Sequence, residues 1–286
     1  MPDGPGPTWA EFAEGWTLGL YRDPVLVGVF AGLVLGYIGV FVVLRRMVFV
    51  TAAVSQAAGL GVALAFYLGI HHGLEVEPLA GAIAVALVAI LVFTLPAERL
   101  RLSSESLLGF AYLAAWSLAV LVGDRITQEA HDIASILFGT AVLVRGEDLV
   151  LVGALGAFVL LMHVWWHRGL TFAAFDPDGA RVQGLPVRLL DVAQWVLVAL
   201  AVSVTTRALG VLPVFALAVL PPMAALMLFD RLRWALPVAA LLGALAGGLG
   251  YLAAFFFEFP VGASQATVAA LAFLACLPAR LLRPRS

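Results

Sequence analysis

Nine separate runs of apolar residues divide this chain of 286 residues, and most are long enough to cross the roughly 30 Å of a bilayer's hydrocarbon. They are Pro24–Leu44, Thr51–Ile70, Leu79–Leu95, Ser106–Val122, Leu149–Trp166, Val192–Thr206, Val211–Phe229, Leu236–Phe257 and Ala263–Leu277. A segment surrounded by lipid must satisfy its own backbone N–H and C=O groups, which restricts spanning structures to helices and closed barrels. The expected fold is therefore all-α: a polytopic helical membrane protein of about nine spans. The sixth run is short, and Arg207–Gly210 reads either as a surface loop or as the turn of a re-entrant pair.

Composition agrees with lipid as the solvent. Hydrophobic residues make up 63% of the chain and charged residues 12%, with a mean hydropathy of +1.05, whereas a soluble domain is nearer half apolar and a quarter charged. A net charge of −2 offers no basic surface to nucleic acid. All 16 basic residues are arginine. Without lysine there is no Schiff-base residue and no complete phosphate-binding Walker loop, so any ATP hydrolysis belongs to another chain. Cys276, the single cysteine, has no intrachain partner and reads as a packing residue.

Residues 1–23 lack both the basic region and the continuous apolar core of a signal peptide. Their aromatic residues, Trp9, Phe12, Trp16 and Tyr21, predict a short interfacial helix against membrane lipid. The remaining chain, and in effect all of 1–286, reads as one transmembrane domain with no soluble module or linker. Positive charge sets its orientation. With the loop after the first span in the cytoplasm, twelve arginines lie inside and Arg22, Arg125, Arg145 and Arg207 outside. That places the N-terminus outside and the C-terminus inside.

Gly28, Gly32 and Gly36 form overlapping GxxxG units in the first span, and Gly243 and Gly247 another in the eighth. Such units let helix backbones approach closely, within one subunit or between two. Pro221 and Pro222 free backbone carbonyls in the seventh span and predict a kink there.

The longest loop on the cytoplasmic side covers residues 167–191. Within it Asp176 is placed to cap a short helix that has Pro177 at its first position, followed by Asp178, Gly179, Ala180 and Arg181, and Gly184 ends it. A short capped helix in a cytoplasmic loop suits attachment of a motor protein. Several segments together, in order and at similar spacing, resemble the permease family of zinc- and manganese-type ABC importers. They are Val43–Met47, the Leu137-Phe138-Gly139 turn, Phe175–Val187, Leu209–Leu212, Ala218–Pro221 and Phe259–Ser264.

The resemblance implies a permease subunit of a bacterial plasma membrane with no catalytic residues and no bound cofactor, whose cargo is a divalent metal ion. It implies a cytoplasmic ATP-binding subunit gripping the 167–191 loop, an external solute-binding protein and a second permease copy. One departure stands out. The family's second span usually carries an Asp and a His four residues apart, facing the path, and the matching positions here are Ala52 and Gln56. Alanine has no donor atom and an amide oxygen is a weak ligand for a borderline metal. A metal chelate or another small solute is therefore the alternative cargo.

No ionisable residue lies deep inside any of the nine runs, and His163 and Asp191 sit at run edges. A secondary transporter would require an intramembrane coupling carboxylate, and an intramembrane hydrolase a buried nucleophile with its base. Candidate metal ligands consequently fall outside the spans. Glu129, His131 and Asp132 follow the fourth run, and His71 and His72 precede Glu75 and Glu77 after the second. Both sets supply nitrogen and oxygen donors of the kind zinc and manganese take.

Overall fold

The computed structural model describes residues 7–93, 103–126, 144 and 146–282, which form twelve helices. These are α1 (Trp9–Thr17), α2 (Arg22–Leu44), α3 (Val48–His72), α4 (Pro78–Phe93), α5 (Ser104–Arg125), α6 (Gly146–Trp165), α7 (His167–Phe175), α8 (Pro177–Val182), α9 (Val187–Leu209), α10 (Val211–Leu228), α11 (Leu232–Phe257) and α12 (Val261–Leu281). Eight of them are long and apolar enough to cross a membrane, and the shorter apolar α4 makes a ninth hydrophobic helix. Each coincides with one of the nine apolar runs. The sixth run proves to be part of the 23-residue α9, which begins five residues before the run and continues past it to Leu209. Length therefore does not mark it as a half-span.

The α9–α10 junction is a single residue. Gly210 adopts φ +93°, a conformation that side-chain-bearing residues rarely adopt, and α10 starts at the next position. α10 then runs on as a helix through Pro221 and Pro222, both buried. Proline at 222 removes the N–H that would have bonded the carbonyl of Ala218. Gly39 of α2 packs onto that same carbonyl, so closely that a β-carbon there would lie 2.0 Å from the oxygen.

The glycine units act within the subunit. Across the α2–α11 contact, Gly28 faces Gly247, Gly32 faces Gly243 and Gly36 faces Ala239, in each case backbone against backbone. Gln265 of α12 completes this junction by donating Nε2–H to the Gly247 carbonyl at 3.0 Å. A further close crossing joins α3 to α4 at Gly61 and Gly81, a pair that shows no GxxxG spacing in either helix.

α3 is the most enclosed span, with 83% of its eighteen-residue apolar stretch buried, against 22% for α6 and for α12. The apolar residues of α3 accordingly show no one-sided pattern, since most of that stretch meets protein. α6 and α12 present their leucines outward instead, including Leu161, Leu271 and Leu274. At the N-terminus Thr8 and Glu11 form a reciprocal capping box that starts α1. Trp9 of α1 then packs at a tilt on Phe256, and Phe12 edge-on against Phe255, at the end of α11.

Candidate transport path and coupling surface

Ion pairs mark the two ends of the bundle. Where α2 stops, Arg45 donates Nη1–H to the carboxylate of Asp191 in the second turn of α9, while its Nε and Nη2 remain buried without partners. Beside it, Arg46 turns the chain into α3 with φ +56°. At the opposite end, Arg207 in the last turn of α9 lies 3.0 Å from Asp148 of α6 and 3.7 Å from Glu77, just ahead of α4. Glu77 also accepts the Ala80 N–H at 3.0 Å and so caps α4. One guanidinium thus ties three helix ends together.

Ala52 and Gln56 lie one turn apart on α3 and are 4% and 5% exposed. Their surroundings are neutral. Thr51 donates to the Val48 carbonyl at 2.6 Å and Ser55 to the Thr51 carbonyl at 2.7 Å, so these hydroxyls are used within the helix. The Gln56 Oε1 has no partner. This stretch holds no carboxylate or imidazole, as the substitution of the usual Asp and His already implied.

The loop after α6 folds as expected and in more detail than the sequence indicated. Asp176 Oδ1 accepts the Gly179 N–H at 2.8 Å, Pro177 occupies the first turn of α8, Arg181 pairs with Asp178 at 2.6 Å, and Gly184 leaves the helix with φ +79°. Ala180 points inward, fully buried with Ala173 and Val187, and α8 is thereby fixed to α7 and α9. The side chains that α8 presents outward are those of Asp178, Arg181 and Val182, the last 89% exposed. A shallow cleft of about 590 Å³ opens beside them, lined by Arg181, Pro186, Val187, Arg188, Leu189 and Val192.

Of the candidate external ligands, Glu129, His131 and Asp132 lie outside the described residues, as does the Leu137-Phe138-Gly139 turn. His71 and His72 end α3 and are exposed. The His71 ring stacks on Tyr67 with centroids 4.4 Å apart, and its Nδ1 is 3.3 Å from the Tyr67 carbonyl. Among the described residues no three His, Cys, Asp or Glu side chains converge on a point that would hold a metal ion.

A feature invisible in the sequence lies between α2, α6 and α9. His163, three residues from a run edge, is fully buried, walled by Tyr37 and Phe41 with ring centroids 6.0 and 5.5 Å away. Its Nδ1 donates to the Val159 carbonyl at 3.0 Å, and its Nε2 has no partner. The side chain of Gln194 on α9 lies within interaction range of the ring without meeting hydrogen-bond geometry, and both its amide atoms are buried and unpartnered. Edge position along the sequence did not mean exposure, because α7 and α9 fold back over this end of α6.

The same architecture occurs in known proteins. The solved structure of PsaBC from Streptococcus pneumoniae in complex with Fab matches with a TM-score of 0.85 at 25% identity, covering 96% of this chain and 98% of the other. The manganese import system permease protein ScaB of Streptococcus pneumoniae is 29% identical over 265 residues, 92% of each protein. The manganese transport system membrane protein MntC of Halalkalibacterium halodurans is 27% identical over 252 residues, 88% of this chain and 84% of the relative. Residues 19–279 match the ABC 3 transport family from the start of the first long helix almost to the end of the last. With its apolar spans and short capped loop helix accounted for over that whole length, the chain belongs to the ABC 3 transport family as a multi-pass permease of the plasma membrane.

Proposed function

We propose that this chain is the membrane permease of an ABC importer for a divalent transition metal, with manganese as the first cargo to test. The single observation that carries this reading is the end-to-end similarity to manganese permeases, 92% of both chains in the ScaB comparison. The exposed face of α8, formed by Asp178, Arg181 and Val182, is the surface for a cytoplasmic ATP-binding subunit, and the cleft beside it receives part of that partner. On this reading, which the arginine bias supports, the α8 end of the bundle faces the cytoplasm and the Arg207 end faces outward. A solute-binding protein delivers metal to that outer end, and a second permease copy completes the membrane assembly.

Transport then follows from alternating access, in which ATP-driven motion of the partner is transmitted through α8 and its buried Ala180 to α7 and α9. The permease has no chemistry to perform; it supplies the path and the lever. The test is reconstitution of the chain with its ATPase in proteoliposomes. ATP-dependent accumulation of Mn²⁺, competed by the same metal outside, is the expected result. Accumulation of a metal chelate in place of free Mn²⁺ or Zn²⁺ would overturn the reading.

A further inference from the structure

The path through α3 lacks the carboxylate and imidazole that a metal permease is expected to place there, yet one imidazole is sealed inside the bundle. We propose that His163 and Gln194 form a buried station for the divalent metal cargo, with His163 Nε2 and the Gln194 amide oxygen as its protein ligands. The inference rests on the metal-importer reading above and assigns the ligands that reading leaves missing.

Three observations lead to it. First, the tautomer is fixed. A backbone carbonyl only accepts, so the 3.0 Å contact to Val159 requires the proton on Nδ1. In the neutral ring the lone pair then lies on Nε2. A histidine that donates one ring N–H to a backbone carbonyl and offers the other nitrogen is the arrangement metal-binding histidines adopt.

Second, the polar atoms are unspent. His163 Nε2, Gln194 Oε1 and Gln194 Nε2 are all buried without hydrogen-bond partners, on side chains 0% and 1% exposed. Orphaned buried polar groups are costly, so a protein that keeps several together is expected to satisfy them with something. A water or a partly hydrated cation fits this chemistry, and hydrocarbon does not.

Third, the position suits passage. His163 lies close to the end of α6, where α7 begins, and His167 follows it one turn on, its ring centroid 6.5 Å from that of Phe41. On α9 the Asp191 carboxylate lies one turn from Gln194 and is partly exposed, at 37%. That carboxylate is already held by Arg45, so the His167 imidazole is the next free donor for a cation released from His163. Imidazole and amide without a carboxylate bind weakly, and a transport station must bind well enough to receive the ion and loosely enough to release it.

The experiment uses the purified full-length chain in detergent, with MnCl₂ followed by electron paramagnetic resonance and CoCl₂ by visible absorption. Wild type is expected to bind one ion and His163→Leu to lose at least about tenfold in affinity. Gln194→Glu supplies the decisive arm. Exchanging an amide for a carboxylate of the same shape should tighten binding at least about tenfold if position 194 is a ligand, a gain that neither misfolding nor a packing role produces. Wild-type binding in His163→Leu, or no gain in Gln194→Glu, overturns the station, as does a wild-type chain that binds neither ion. Proteoliposome uptake is read separately. Absence of metal uptake by wild type with binding at His163 intact refutes the importer reading alone, whereas normal uptake with unaltered binding in both variants refutes the station alone.

Discussion

Gly32 and Gly243 face each other across the α2–α11 contact so closely that a β-carbon on Gly32 would lie 2.1 Å from the Gly243 carbonyl oxygen, and one on Gly243 would lie 2.0 Å from that of Gly32. The obstacle is backbone on both sides, which no rotamer change can relieve. Gly32→Ala or Gly243→Ala should therefore separate the helices and destabilise the protein by about 1 to 3 kcal/mol, the cost of overpacking. Gly109→Ala and Gly153→Ala, where nothing stands within 4 Å, are the controls and should be neutral. Thermal unfolding in detergent checks the contrast; equal behaviour of the two sets would show that the α2–α11 contact yields.

For the motor surface, the choice of residue decides what is measured. Ala180 is buried, so a bulky charged residue there would break the α7–α8–α9 packing and disturb attachment only indirectly. At Gly179 a β-carbon would meet the Asp176 carboxylate at 2.2 Å, displacing the cap. Val182→Asp with Arg181→Glu changes only the outward face. This double variant should keep wild-type thermal stability and lose ATPase copurification, while Asp176→Ala should cost about 1 kcal/mol of stability through the lost cap. Full copurification of the double variant would assign the ATPase to another surface.

Arg207 is expected to hold together the ends of α4, α6 and α9 that meet at Glu77 and Asp148. Its side chain is 26% exposed and that of Asp148 12%, so this pair is shielded from solvent, whereas Glu77 is 55% exposed. Arg207→Gln should destabilise by about 1 to 2 kcal/mol, and Glu77→Gln by under about 0.5 kcal/mol at moderate salt. Melting curves at two ionic strengths separate them; a Glu77 variant as damaging as the Arg207 variant would contradict the geometry.

The substituted pair on α3 gives a prediction about transport. Gln56→Ala should lower Mn²⁺ uptake only modestly, because a lone amide contributes little to binding a metal. Ala52→Asp with Gln56→His places a carboxylate and an imidazole one turn apart on a helix that is otherwise sealed, and should make the chain retain Mn²⁺ through purification. Metal content by mass spectrometry reads this out directly. A severe uptake defect in Gln56→Ala would make that amide a principal ligand.

Hydropathy located all nine apolar helices, since the length of a span is dictated by the bilayer and written in consecutive residues. The α8 cap was equally legible because Asp176, Pro177 and Gly184 act on their immediate neighbours. Interactions between distant segments were not. Whether Gly28, Gly32 and Gly36 met their own chain or another depended on the folding of α11 against α2. Gly61 and Gly81 carried no spacing signal at all. The enclosure of His163 came from α9, which brings Gln194 to it from thirty-one positions further along the sequence. The inward direction of Ala180 likewise depended on Ala173 and Val187 on flanking helices.

The single-residue joint at Gly210 has a mechanical consequence. With a single residue between Leu209 and Val211, α9 and α10 are expected to move together along their axes, and bending at Gly210 is the freedom this joint offers the pair. Any displacement imposed on the Asp191 end of α9 is therefore expected to reappear as a swing at this joint, which carries Arg207 and the α10 segment bearing Pro221 with it. A helix that merely crosses the bilayer would dissipate such a push in a flexible loop; here it is delivered to the far surface.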